Sequence, residues 1–307
     1  MAGAAAKGAT AYVTLEPCCH WGQTPPCTDA LIDAGVTRVV IATLDPDKRV
    51  DSQGVARLRE AGIAVEHGLL ENEARNDLEG FFLRIGQDRP MVTLKLATTL
   101  DGKIATNSGE SQWITGPAAR RMAHVFRGRH DAVLAGVGTV MADDPELTCR
   151  IPGYRPTPVV RVIIDSHLRT SLTGKLARTL GEAPLWFLVR DGVDPLRRKV
   201  FEELGAMVID VKSGEAGIDM ADGMRALAST GLTRVLVEGG AQVAASFVRA
   251  GLVDRVAWFH ASSVMGGDGW PAVQGFGIDK LALMPHFIRH RVTPLGDDML
   301  TEFMRAA

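Results

Sequence analysis

Short β-branched runs alternate along the whole chain with stretches whose apolar residues recur at helical spacing. Period two marks half-buried strands and period 3.6 marks amphipathic helices, so the pattern predicts an α/β protein. In the first part it predicts a strand over 11–15, a helix over 28–34 and a strand over 38–43. A helix around 54–60 and a strand over 64–66 follow. Gly35 and Gly62 stand where the two helices should end, suited to the left-handed position just past a helix. The opening Ala-Gly-Ala-Ala-Ala-Lys reads as the tail of a helix. The polar run 84–90 then breaks the periodicity. It is expected to contain a linker over 86–90, dividing a domain over 1–85 from one over 91–307.

Beyond that break the pattern predicts strands over 91–97, 132–135, 159–164, 185–189, 207–211, 234–237 and 255–260. Residues 117–127 and 241–250 have helical spacing, each entered from a turn containing glycine. Segments 287–292 and 300–304 flank Gly296-Asp297-Asp298, which predicts a closing antiparallel hairpin. There is no internal repeat and no low-complexity tract.

A chain of 307 residues that is 46% hydrophobic can bury two ordinary cores, in agreement with that division. Its 34 Lys and Arg nearly balance 36 Asp and Glu, which gives no reason to expect nucleic acid or an anionic membrane as partner. A small anion held by a local cationic cluster stays open. The longest apolar runs are strand-length, and no secretory pattern opens the sequence, so the cytoplasm is the expected compartment. Four cysteines do not make a disulfide framework. Three of them, Cys18, Cys19 and Cys27, cluster in a way that suggests metal binding in a reducing environment.

That cluster lies in Thr14-Leu15-Glu16-Pro17-Cys18-Cys19-His20-Trp21-Gly22-Gln23-Thr24-Pro25-Pro26-Cys27. A strand runs into Pro-Cys, and Cys27 opens a helix, where the helix dipole favours the thiolate that binds zinc. The bland alternative is a pair of unrelated buried thiols. Cys19 is a bystander, since two adjacent residues rarely both reach one metal.

The segment resembles the zinc site of the bifunctional riboflavin-biosynthesis deaminase–reductases, whose first domain has the cytidine-deaminase-like fold. The resemblance implies zinc held by Cys18 and Cys27, completed by a His, with a Glu proton shuttle, both from an upstream His-Ala-Glu motif. Family spacing would put that His about two helical turns before Met1. Glu16 sits on the strand leading into Cys18 and His20 follows the cysteine pair, so neither reproduces the missing geometry. Zinc on two thiolates is under-coordinated, and the expectation is a deaminase-like domain without deaminase activity. Gln23 also stands where many members of the family carry Lys or Arg.

The second part is fuller. Lys95 to Ala105 joins a strand to a glycine turn, and Gly109-Glu110-Ser111-Gln112-Trp113-Ile114-Thr115-Gly116-Pro117 leads into a helix with Pro in its first turn. Trp113 taken alone reads as core filler. Gly136-Val137-Gly138-Thr139 follows a strand but lacks the third glycine of the dinucleotide fingerprint. In Glu238-Gly239-Gly240-Ala241 a strand ends and a helix begins, where small residues let backbone N–H groups approach a phosphate. An ordinary tight turn is the competing reading.

Together these blocks resemble the reductase domain of the same family, which has a dihydrofolate-reductase-like fold. The resemblance implies NADPH-dependent reduction of the ribosyl group of 5-amino-6-(5-phosphoribosylamino)uracil to ribityl. It assigns the cofactor to Ala97, Trp113, Thr139, Asp143, Ser166 and the turn Gly240, Ala241, Gln242, Val243, Ala244, Ala245 and Ser246. It assigns the phosphorylated pyrimidine substrate to Ser111, Arg127, Leu147, Arg150 and Glu238. Arg127 and Arg150 have forked donors that suit the phosphate, although a lone Arg is more often a solvated surface residue. Lys95 and Asp143 are the candidates for opening the ribose ring and moving the proton; Asp143 has the alternative of only holding cofactor. The family analogy also implies a homo-oligomer. Two other readings stay open: a working bifunctional enzyme whose zinc site is completed from elsewhere, and a binding or scaffolding remnant.

Overall fold

The computed structural model describes residues 2–214 and 217–306; Met1 and Ala307, the outer bounds of the two expected domains, lie outside them. The chain forms two compact units, Met1–Asp88 and Arg89–Ala307.

The first unit contains β1 (Thr10–Leu15), α1 (Cys27–Asp33), β2 (Arg38–Thr43), α2 (Gln53–Glu60), β3 (Ala64–His67), α3 (Glu71–Asp77) and α4 (Glu79–Gln87). The strands pair in parallel in the order β1-β2-β3. Val36, Val39, Ile41, Val55, Leu58 and Ile63 form its core. Gly35 and Gly62 take the left-handed conformation expected of them, at φ 70° and 80°. Two expectations need correction. The opening residues make only a 3-10 turn, Gly3–Ala6, because Gly3 is left-handed at φ 53° and Lys7 is extended. The run expected to begin a linker instead continues α4 to Gln87, carried by Phe81, Phe82 and Ile85 on its partly buried side. Asp88, left-handed at φ 52°, then ends the helix.

The second unit contains β4 (Met91–Thr98), β5 (Lys103–Ala105), α5 (Pro117–Arg129), β6 (Ala132–Gly136), α6 (Val137–Asp143), β7 (Val160–Ile164), α7 (Lys175–Arg178) and β8 (Leu185–Arg190). It continues with α8 (Pro195–Glu203), β9 (Met207–Val211), α9 (Met220–Ser229), β10 (Arg234–Val237), α10 (Ala241–Arg249), β11 (Arg255–His260), β12 (Trp270–Pro271), β13 (Phe287–Leu295) and β14 (Asp298–Arg305). Nine strands make one sheet in the order β13-β14-β11-β4-β10-β6-β7-β8-β9. Seven of them run parallel, and the β13–β14 hairpin closes one edge antiparallel.

Side chains alternate between the two faces of each strand. On β6, Ala132 and Leu134 join one core, with Phe247 and Met224; Val133 and Ala135 join the other, with Phe187 and Phe201. Burial on both faces explains why these strands read as continuous apolar runs. At the entrance to the unit Arg89 makes two 2.7 Å hydrogen bonds to Asp254, whose Oδ2 also accepts Val92 N.

His130, at the end of α5, is buried between Phe126 O at 2.7 Å from Nδ1 and Thr93 Oγ1 at 2.8 Å from Nε2. With its proton on Nδ1, the neutral ring donates to the carbonyl and accepts from the hydroxyl. Burial pushes its pKa down from 6.5 to about 4, although the Phe126 carbonyl acts in the opposite direction. Below pH 6.5 the unfolded chain binds a proton that the folded chain refuses, so stability is full above that pH and falls as pH drops toward 4. The loss is on the order of 3 kcal/mol when complete. Urea unfolding midpoints between pH 7 and 4 should show it in the parent protein and show a flatter profile in His130→Gln.

Candidate active site

In a parallel sheet, ligands bind beyond the carboxyl ends of the strands where the strand order reverses. Here the chain leaves β4, builds outward from β6 to β9, and returns as β10 between β4 and β6. The carboxyl ends of β4, β6 and β10 therefore meet at one crevice. A cavity of about 640 Å³ occupies it, floored by Lys95, Ala97, Glu238 and Gly240 and walled by α5, α6 and the loops after β5 and α6.

At its centre Glu238 follows β10 with its side chain only 9% exposed. Arg127, on α5, grips it with both arms: Nε donates to Oε1 at 2.6 Å and Nη2 to Oε2 at 2.9 Å. Arg127 Nη1 donates to Thr148 O at 3.0 Å. Lys95 Nζ stands 3.9 Å from Glu238 Oε2. Burial alone would raise the pKa of the Glu238 carboxyl, but the Arg127 charge and hydrogen bonds, with help from Lys95, hold it at about 2. Burial lowers the pKa of Lys95 and the charge of Arg127 does the same, against the pull of Glu238. The centre is thus a fixed anion between two cations, one of which gives up its proton more readily than an ordinary lysine.

The mouth is more open. Arg150 donates from Nη1 to Glu146 Oε2 at 3.0 Å and is 56% exposed. Asp143 ends α6 on the cavity wall, where partial burial raises its pKa. Asp144, also on the lining, accepts Lys175 N at 2.8 Å and so caps α7. Trp113 is 68% exposed, with the Arg120 guanidinium 4.6 Å from its ring centroid.

Of the residues expected in the site, Lys95, Ala97, Ser111, Trp113, Arg127, Thr139, Asp143, Leu147, Arg150, Glu238 and Gly240 line this single cavity. Others are placed differently. Ser166 lies two residues past β7, one strand farther along the sheet, outside the lining. Ala241, Gln242 and Val243 form the first turn of α10 outside the lining, and Ala244, Ala245 and Ser246 are buried, because the helix turns that face into the core. Glycine at 239 answers a packing need: an added Cβ would sit 2.6 Å from Val243 Cβ, and one at Gly136 would sit 2.7 Å from Val243 Cγ2. Trp113 is not core filler. Arg127 is not an uncommitted phosphate ligand, since Glu238 and Thr148 engage all three of its nitrogens.

Sequence reasoning passed over His124, Arg120, Glu146 and Lys175, all of which line the cavity. His124 and Arg127 are three apart on α5 and so share a face, the one signal that would have found the histidine.

Comparison with known proteins gives matches to both units. The model of the RibD C-terminal domain matches residues 90–301, and that of the cytidine and deoxycytidylate deaminase zinc-binding region matches residues 1–43. Riboflavin biosynthesis protein RibD of Aquifex aeolicus is 41% identical over 304 residues, spanning 99% of this chain and 83% of that protein. The chain belongs to the RibD family. RibD of Escherichia coli is 38% identical over 317 residues, covering 100% of this chain and 84% of that protein. A structure of Acinetobacter baumannii RibD superposes with TM-score 0.88 at 33% identity, over 100% of this chain and 83% of that one. These RibD proteins establish an α/β protein with a deaminase-like first unit and a reductase second unit.

In the RibD zinc-binding segment, Cys27 N donates to Cys18 Sγ at 3.3 Å, so the fold does bring the two cysteines together. Their proximity works against the thiolate expected from the helix start: the hydrogen bond with Cys18, then burial, raises the pKa of Cys27. Glu16 is occupied elsewhere, accepting Asp45 N, Ser52 N and Val55 N. Among the described residues no group of three His, Cys, Asp or Glu could hold a metal ion. Two thiols do not complete a tetrahedral zinc site.

The two arginines should separate cleanly in stability. Arg127→Ala leaves a buried carboxylate facing only Lys95 and should cost about 3–5 kcal/mol. Arg150→Ala removes an exposed pair and should cost less than about 1 kcal/mol. Urea denaturation of both variants against the parent protein measures the difference.

Proposed function

We propose that this chain carries out the NADPH-dependent reductase step of riboflavin biosynthesis, converting the ribosyl group of 5-amino-6-(5-phosphoribosylamino)uracil to ribityl. The observation that carries this reading is the joining of Lys95, Glu238, Asp143 and Arg150 in one cavity at the carboxyl ends of the sheet. A solved relative of 34% identity and TM-score 0.80, from Thermotoga maritima, is named as a deaminase and as a reductase of that uracil compound.

At about 640 Å³ the cavity falls in the range of small-molecule and cofactor sites. At Gly240 an added Cβ would stand 3.5 Å from Thr139 Oγ1, narrowing the cradle between the two strand-to-helix turns. Ala97, Trp113, Thr139, Asp143 and Gly240 would hold the cofactor, with Ser166 and the first turn of α10 serving its outer part. When bound, NADPH supplies the hydride that ends on the ribose C1. Ser111, Leu147, Arg150 and Glu238 would hold the substrate, with Arg150 at its phosphate. Glu238 orients Lys95, and the Lys95 ammonium gives its proton to the ribose ring oxygen as that ring opens. The opened form then has a C=N bond at C1 for reduction, and the ring oxygen becomes a hydroxyl. Asp143, its pKa raised by partial burial, would return a proton to Lys95 or anchor the cofactor. Exposed Ile288 and Val292 on the edge strand β13 support assembly of this chain as a homo-oligomer. Among the described residues no helix is long and apolar enough to cross a membrane.

NADPH oxidation by the purified chain with this substrate tests the reading; absence of turnover defeats it. Lys95→Met should lower kcat by about 100-fold or more. In the parent protein kcat should fall on the alkaline side at a pH below the ordinary lysine range, because the ammonium is the acid. Arg150→Ala should raise KM for the phosphorylated substrate about tenfold, and a wild-type KM would remove Arg150 from the phosphate. The two-thiol donor set leads to one further expectation. The 307-residue chain should show no deaminase turnover above that of Cys18→Ala, and turnover well above this control would reinstate the bifunctional reading.

A further inference from the structure

With Arg127 committed to Glu238 and Thr148, a dianionic phosphate at the mouth would meet Arg150, with Arg120 and Lys175 also on the cavity lining. His124 stands beside Arg150. The ring lines the cavity, half-buried, with Nδ1 3.2 Å from Thr148 O and 3.3 Å from Arg150 N. Its Nε2 has no hydrogen-bond partner among the described residues. We propose that His124 is a phosphate-binding residue whose Nε2 donates to the substrate phosphate, and that binding this dianion draws a proton from solvent onto the ring. The placing of a phosphate at the mouth rests on the reductase reading; the binding test below does not require turnover.

The hydrogen-bond pattern accommodates both states. In the neutral ring with its proton on Nε2, Nδ1 accepts from Arg150 N–H. Protonation adds a second donor, Nδ1–H, from which Thr148 O can accept at 3.2 Å, while Nε2–H stays available to a ligand. Charged neighbours set the balance. Arg120 and Arg127 lie on the same helix, Asp143 at the end of α6, Asp144, Glu146 and Arg150 on the loop after it, Lys175 at the start of α7, Glu238 beyond β10 and Lys95 on β4. Cys149 also touches this helix, its Sγ donating to His124 O at 3.2 Å. Burial lowers the His124 pKa, and the Arg127 and Arg150 charges lower it further, so the empty site holds a neutral ring near neutral pH. A phosphate dianion between the ring and Arg150 offsets both causes and raises that pKa. Affinity for the phosphate should therefore weaken as pH rises through the raised value.

The test is calorimetric titration of the full chain with ribose 5-phosphate, and with ribose as control, in two buffers of different ionisation enthalpy at pH 7.5. The parent protein should bind the phosphate ester with net proton uptake and should not bind ribose. His124→Gln, which places an uncharged donor near the Nε2 position, should lose the proton uptake and weaken binding by less than about tenfold. His124→Asn, which keeps only the Nδ1-side contact to the loop, should weaken binding about tenfold or more. Parent-like affinity in His124→Asn would reduce the histidine to a loop tie, and parent-like proton uptake in His124→Gln would place the proton elsewhere. Either result overturns the proposal, as does a parent protein that does not bind ribose 5-phosphate. With the uracil substrate, His124→Asn should raise KM and change kcat less than twofold. If the parent protein binds ribose 5-phosphate with proton uptake but oxidises no NADPH, the reductase reading fails and the His124 assignment stands.

Discussion

The site depends on one buried ion pair. A carboxylate as enclosed as Glu238 is tolerable only where charge and hydrogen bonds replace lost water, and Arg127 supplies both through its two-armed contact. The guanidinium is planar, so gripping Glu238 fixes where its remaining nitrogen points, and that nitrogen donates to Thr148 O. One residue of α5 thereby ties the turn after β10 to the loop after α6. The positions of Leu147 and Arg150 on that loop follow from this tie. The low dielectric that makes the pair costly to break also makes Lys95 a better acid, because its ammonium is both desolvated and repelled by Arg127.

Backbone packing sets the second constraint. The turns after β6 and β10 both run from strand to helix at the same end of the sheet, and Val243 lies where each would carry a side chain at Gly136 and Gly239. Removing those two Cβ atoms lets the turns close on Val243, which brings Thr139 and Gly240 to the same wall. The glycines that resemble a phosphate-binding signature therefore act first through steric fit. Any cradle for a cofactor is a consequence of how tightly the two turns pack.

The strands of the large sheet were legible because burial on both faces leaves continuous β-branched runs. The terminal hairpin was legible from Gly296-Asp297-Asp298, and Gly296 does turn the chain at φ 72°. Helices α8 and α9 were passed over although Asp194 and Asp219 cap them, since their mixed composition weakens the periodicity that a reader counts. Eleven of the expected site residues share the cavity because they sit at strand ends or in the loops that follow, positions that sequence order does place. What one-dimensional reading could not supply was pairing. Arg127 and Glu238 are 111 positions apart, and only the return of β10 between β4 and β6 makes them partners. Without that knowledge both arginines read alike, while in the fold one is a buried clamp and the other an exposed contact.

The same distinction separates two glutamates that look equivalent on paper. Glu16 and Glu238 each follow the end of a strand, and both are nearly enclosed. Glu16 is answered by three backbone N–H groups, none of which can gain or lose a proton under ordinary conditions. It fixes the entry to α2, where Gly54 has no room for a Cβ, since one would stand 2.1 Å from Pro17 O. Glu238 is answered by side chains, and one of them, Lys95, can release its proton into a cavity large enough for a reactant. A buried carboxylate locks structure when its partners are backbone amides and supports proton chemistry when a partner can itself titrate. By that criterion the residues arranged for reaction in this chain are those of the second unit.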